Sequence, residues 1–164
     1  MMNNKEKIYF PIFIDLSEKH IVAIGAGKIA SRRVRTVLEF AGKITVIAPE
    51  ISEEILALAG KGPVQLKRRV FEEADLDGAD MVLAITDDKE LNQKIGTLCR
   101  EKGIPVNTSH DKDLCDFYFP GVVQKENVVV GVTASGKDHK QAKEVTEKIR
   151  EALDGMEEEE ENEN

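Results

Sequence analysis

Residues 21–30 read IVAIGAGKIA. Four apolar residues run into Gly25-Ala26-Gly27, and a helix-compatible stretch begins at Lys28. Strand, tight turn and helix succeed one another, with small residues in the spacing G-x-G-x-x-A. Gly25 permits the turn. Gly27 has no side chain where a diphosphate would approach the backbone. Ala30 lets the helix lie close on the strand. The helix start then adds unpaired N–H groups and the positive end of its dipole. A strand–turn–helix with no ligand would also explain two glycines. The apolar strand before them and the helix after them supply the context a dinucleotide site requires.

The same alternation repeats downstream. The first helix is expected over 28–41, with Ile29, Val34, Val37, Leu38 and Ala41 in one buried stripe and Gly42 as its stop. Arg32, Arg33 and Arg35 fall off that stripe, as a solvated face or as a basic patch toward an anion. Residues 44–48 form a second strand. Ser52 opens a helix that Gly60 closes, and residues 64–70 form a third strand. Residues 81–85 are the most hydrophobic strand, expected at the sheet centre. It ends in Thr86-Asp87-Asp88, at the carboxyl edge where open α/β sheets bind ligands. Asp87 or Asp88 there serves a ligand or caps the helix of residues 91–102. Cys99 reads as a packed thiol. Residues 104–107 form a fifth strand, with Thr108 to Asp111 at its end. His20 is expected in solvent at the edge of the first strand. The first 112 residues thus predict an α/β, Rossmann-like, doubly wound parallel sheet.

The second strand runs into Ala48-Pro49-Glu50. NAD-binding domains commonly hold the ribose hydroxyls with an acid at this strand's end. Glu50 stands two residues late, and no arginine comes directly after it to meet a 2′-phosphate, so NAD is favoured over NADP. Beyond residue 112 the pattern changes. Apolar segments 117–123 and 128–133 suggest a hairpin, and a helix is expected over 139–153, together a small α+β unit. Tyr9 to Ile14, with Pro11 inside, reads as an edge strand or an extended arm.

Formal charge is −8, and seven of the acids lie in residues 154–164, which leaves the rest of the chain at −1. The acidity therefore belongs to a tail, expected to be disordered. No basic footprint for nucleic acid is present. Neither Cys99 nor Cys115 belongs to a CxxC pair, and no stable metal site is visible in the spacing. No apolar run approaches the ~18 residues of a membrane span. The stretch MMNNKEKIYFPIF is too polar and too short for a signal peptide, so a cytoplasmic, reducing setting is expected.

Seven pieces occur together and in order: YFPIFIDL, IVAIGAGKIASRRV, TVIAPE, AITDDKELN, IPVN, LCDFYFPGVV and VVVGVTASG. On these the chain resembles the siroheme-synthase N-terminal module, the precorrin-2 dehydrogenase family, across about residues 9–153. YFPIF and LCDFYFP are more specific than the glycine motif. The resemblance implies NAD-dependent oxidation of precorrin-2 to sirohydrochlorin in siroheme biosynthesis, and some family members are also sirohydrochlorin ferrochelatases. It implies NAD held at Gly25, Ala26, Gly27, Lys28, Ile29, Ala48 and Pro49, with Thr86 and Asp87 toward the nicotinamide. It also implies a homodimer built through residues 113–153. The family places an Asp acid/base three residues after IPVN; here that position is His110, followed by Asp111. A neutral imidazole accepts a proton near pH 7, so His110 is the first candidate base and Asp111 the second. The other reading of the same change is a non-catalytic module, a sensor or carrier, that binds NAD or a tetrapyrrole.

Overall fold

The computed structural model describes residues 9–162, with side chains through Met156; residues 1–8 and 163–164, at the two ends of the predicted arm and tail, lie outside the described residues. The chain divides into two units. One is residues 14–117, and the other joins residues 9–13 to the segment that starts at Tyr118.

The larger unit runs β1 (His20–Ile24), α1 (Lys28–Leu38), β2 (Lys43–Ile47), α2 (Glu53–Ala59), β3 (Val64–Lys67), β4 (Met81–Ala84), α3 (Lys89–Lys102) and β5 (Val106–Thr108). All pairings are parallel, in the order β3-β2-β1-β4-β5. Ile21 to Ile24 and Met81 to Ala84 are buried at every residue, because helices cover both faces of a parallel sheet. The chain winds outward through β2 and β3, then returns to the other side of β1. The centre is therefore β1 and not the more hydrophobic β4. Hydrophobicity cannot rank two interior strands that are both buried on both faces.

Boundaries differ from the sequence reading where tertiary contacts intervene. α1 stops at Leu38, and Val37 O accepts from both Phe40 N (3.0 Å) and Ala41 N (2.9 Å) in a closing turn. Gly42 is no helix stop. Its N–H donates to Leu16 O at 2.9 Å, and a Cβ there would fall 2.1 Å from Ser17 O. Ile29 is 44% exposed, outside the buried stripe formed by Ala30, Val34 and Val37. His20 is half-buried rather than in solvent. Its Nδ1–H donates to Gly78 O (3.2 Å), the Thr45 hydroxyl donates to its Nε2 (2.8 Å), and burial lowers its pKa. Cys99 is packed in the core, where burial pushes its thiol up to about 11.

In the smaller unit, residues 9–13 are an extended arm. The Tyr9 ring meets Tyr118 edge-on, with centroids 4.5 Å apart. β6 (Gly121–Lys125) and β7 (Val128–Val132) form the antiparallel hairpin around Glu126, whose φ is +50°. α4 (His139–Asn162) comes next, its start capped by Asp138, whose Oδ1 accepts from Gln141 N at 2.8 Å. The acidic stretch from Asp154 to Asn162 continues α4 where the sequence suggested a disordered tail. Glutamate is a good helix former, and extending an existing helix is far easier than nucleating one.

β3 ends three residues early, at an ion cluster. The buried Asp75 carboxylate accepts both arms of Arg69 (2.6 and 2.7 Å), Lys67 Nζ (2.7 Å) and Glu72 N (2.9 Å). This cluster holds the loop that carries Val70 and Phe71. Arg69, then Lys67, keep the Asp75 carboxyl far below its ordinary range against the cost of burial. Its contribution is thus complete above the unfolded pKa, near 3.9, and is lost as pH falls through the lower folded value. Because Lys67 and Arg69 are partly exposed, we expect Asp75→Asn to cost about 2 kcal/mol in urea unfolding at neutral pH. That gap should hold from pH 8 to about 5 and narrow progressively as pH falls below about 4.

Candidate functional site

Strand order reverses between β1 and β4, and their carboxyl ends open on a cleft of about 470 Å³. Here β1 is held on both sides. Gly25 N donates to Ile47 O at the end of β2, and Ile85 N just past β4 donates to Ile24 O, each at 2.9 Å. Gly25 has φ +110°, and a Cβ on it would lie 2.5 Å from Ile85 O. Gly27 differs: its φ is −85°, and a Cβ there meets nothing within 4 Å. The fold needs a glycine at position 25. At position 27 the missing side chain leaves open room beside the backbone, which a diphosphate fits.

α1 starts at this point with Gly27 as N-cap, no side-chain cap and no acid in its first turn. α2 and α3 supply their own caps. Ser52 Oγ accepts from Ile55 N (3.4 Å) and Asp88 Oδ1 from Leu91 N (3.0 Å), with acids in both first turns. Of these three helix starts, α1 alone offers an anion unsatisfied N–H groups with no competing carboxylate.

Gly25, Ala26, Gly27, Ala48, Pro49, Thr86 and Asp87 all line the cleft. Lys28 and Ile29 do not. They border a groove on the outer face of α1 with Arg32, Arg35 and Glu54, so what they offer an anion is backbone N–H. Arg33 belongs to neither predicted role. Its Nη1 donates to Asn107 Oδ1 (2.6 Å), tying α1 to β5, and burial lowers its pKa to about 10. Asp88 takes the cap, while Asp87 stands exposed at the cleft. Glu50, the late acid, lines the cleft too. Val70, Phe71 and Leu91 also line it, and sequence reasoning did not single them out. An apolar pair in a connecting segment carries no periodicity, and only the loop's return over the sheet edge exposes its purpose.

His110 and Asp111 come after β5 and are not among the cleft-lining residues. They are nevertheless wired to it. The buried Asn92 of α3 brackets Thr86: its Oδ1 accepts from Thr86 N (3.1 Å) and Oγ1 (2.8 Å), and its Nδ2 donates to Thr86 O (2.9 Å). The same Nδ2 lies 2.7 Å from His110 Nδ1, which also lies 2.9 Å from Ser109 Oγ. Asp111 Oδ1 accepts from Asp113 N at 2.9 Å, starting a short 3₁₀ turn. Thr108 and Cys115 brace this loop: Thr108 Oγ1 donates to Asp111 O (2.8 Å), and Thr108 N to Cys115 Sγ (3.2 Å). Among the described residues, no three His, Cys, Asp or Glu side chains gather as a metal site, and no helix is long and apolar enough to cross a membrane.

A family model described as "Putative NAD(P)-binding" matches residues 12–121. A "Probable multifunctional siroheme biosynthesis protein HemA" of Ruminiclostridium josui is 35% identical over 86% of this chain and 28% of its own length. A "Siroheme synthase" of Methylococcus capsulatus is 37% identical over 78% of this chain and 27% of its own. The chain thus spans little more than a quarter of these curated relatives. Among solved structures, one titled "SirC, precorrin-2 dehydrogenase" superposes with a TM-score of 0.68 at 24% identity, over 90% of this chain and 70% of that one, and shows the shared fold.

The two glycines should separate on substitution. Gly27→Ala should leave the thermal midpoint unchanged but weaken NAD binding at least about tenfold in calorimetry, or about 1.4 kcal/mol. Gly25→Ala should lower the midpoint as well, since its Cβ meets backbone at a positive φ.

Proposed function

The chain belongs to this NAD(P)-binding family, and from that premise we propose that it is an NAD-dependent precorrin-2 dehydrogenase that forms sirohydrochlorin. The observation that carries the reading is the open space at Gly27, at an uncapped helix start on the cleft where strand order reverses. The siroheme-related relatives support the choice of substrate.

In this reading the first-turn N–H groups of α1 hold the diphosphate, and Glu50 reaches the adenosine ribose. Thr86 and Asp87 border the nicotinamide end. NAD, when bound, supplies the acceptor for a hydride from a macrocycle carbon. The loop after β5 receives the accompanying proton, with His110 and Asp111 as the groups at hand. Because both lie outside the cleft, the tetrapyrrole comes to the nicotinamide from the β5 side. Positioning the two reactants together supplies much of the rate.

The proposal includes a homodimer. Phe10, Ile12 and Phe13 are 85%, 71% and 75% exposed in one short arm, and Val128 and Val145 of the same unit are also exposed. An apolar patch of this kind is normally covered, here by a second copy. A cytoplasmic setting belongs to the reading as well, supported by two free thiols. Ferrous iron insertion would be a separate activity, with the metal as substrate.

Anaerobic incubation with precorrin-2 and NAD should yield NADH and sirohydrochlorin together, followed by absorbance. Asp111→Asn should lower kcat by about 10²-fold, the usual worth of a proton-handling group, and His110→Ala should lower it as well. Absence of turnover in the native protein, with NAD still bound in calorimetry, would replace the enzyme by a sensor or carrier.

A further inference from the structure

Asn92 has one orientation. Its amide faces the backbone of Thr86, where the N–H can only donate and the carbonyl can only accept. Oδ1 must therefore lie toward Thr86 N and Nδ2 toward Thr86 O, which removes the usual ambiguity of an asparagine flip. The second hydrogen of Nδ2 then has His110 Nδ1 at 2.7 Å and Ser109 Oγ at 3.4 Å, and the much shorter contact directs it to the ring nitrogen. A ring nitrogen met by an N–H donor must present its lone pair. A proton on Nδ1 would instead set two hydrogens against each other at that distance. Ser109 Oγ, at 2.9 Å, supplies its hydroxyl hydrogen to the same lone pair or turns elsewhere, and it does not force the tautomer alone.

We propose that Asn92 is a positioning residue that locks neutral His110 as the Nε2–H tautomer, so that His110 presents a hydrogen-bond donor, and not a basic lone pair, to the substrate. Among the described residues nothing bonds Nε2, and the His110 side chain is exposed. Its natural acceptor is an anionic oxygen. On the dehydrogenase reading, on which only this consequence rests, that is a tetrapyrrole carboxylate. Asp111 is then left as the group that accepts the proton. The same asparagine brackets Thr86 at the cleft, so one buried side chain sets both the β4 end of the nucleotide site and the donor beside it.

His20 provides an internal reference of opposite sense. Its Nδ1 faces the Gly78 carbonyl and its Nε2 faces the Thr45 hydroxyl, which requires Nδ1–H. Long-range ¹H–¹⁵N spectra of the ¹⁵N-labelled full chain, at about pH 8 where imidazoles are ordinarily neutral, read both rings without NAD or substrate. His110→Gln and His20→Gln assign the signals. In the native protein His110 should show a pyridine-type Nδ1 and a pyrrole-type Nε2, and His20 the reverse. A protonated or averaged Nδ1 at His110 overturns the proposal. In Asn92→Asp the carboxylate can only accept, so the two His110 signals should exchange places while His20 stays unchanged; no exchange overturns Asn92's role. Ser109→Ala should keep the native tautomer, and its loss there would assign the lock to Ser109 instead. Should Asn92→Asp fail to fold, shown by loss of the His20 pattern, the native and Ser109→Ala spectra still decide. Because turnover plays no part, failure here is distinct from failure of the dehydrogenase reading.

Discussion

The approach of Gly25 to the Ile85 carbonyl is the contact on which the site depends. A parallel pair hydrogen-bonded through Ile24 and Ala84 must part at its carboxyl ends to admit a ligand. Here the parting begins only after Ile85 N has bonded to Ile24 O, while on the other side of β1 Gly25 N bonds to Ile47 O of β2. No side chain fits between these backbones, and the positive φ at Gly25 turns the chain directly into α1. The dipole of α1, the room at Gly27 and the placement of Thr86 all stem from that turn.

Around this contact, the loops that line the cleft are held from below by buried polar groups. Asp75 fixes the path to Val70 and Phe71 through Arg69, Lys67 and Glu72 N. Asn92 fixes Thr86, and Asn107 joins Arg33 to the Phe117 carbonyl. Asp75, Asn92 and Asn107 are each buried with their hydrogen-bonding groups engaged, the condition under which a polar core residue stabilises a fold. They also share a location, at or just under the carboxyl edge. Cys99 is the contrasting case, packed by apolar neighbours and held as a neutral thiol.

The exposed apolar arm and the hairpin belong to a unit that buries little of its own. Val123 and Thr146 are its fully covered residues among those described, while Phe10, Ile12 and Phe13 are open. A two-stranded sheet with one helix is marginal alone. The apolar content of this segment makes sense once a further surface covers it.

The alternation of strands and helices, the glycine turn, the cap Ser52, a cap at Asp87 or Asp88 and the hairpin were all legible in the sequence, because each rests on short-range chemistry: side-chain period, φ preference, and a polar atom within reach of a neighbouring N–H. The role of Gly25 could be read for the same reason. Strand order could not be read, since β1 and β4 carry the same buried pattern and only the right-handed return past β1 distinguishes them. Nor could the end of α1, where Gly42 answers to Ser17 rather than to its own helix. Arg33 looked like surface and is bonded to β5. His110 was visible as a candidate base, but its tautomer depends on Asn92, eighteen residues earlier on another element. Local chemistry thus determined which elements form, and tertiary structure decided which atoms meet, because hydrogen-bond partners across a sheet edge are set by folding and not by spacing along the chain.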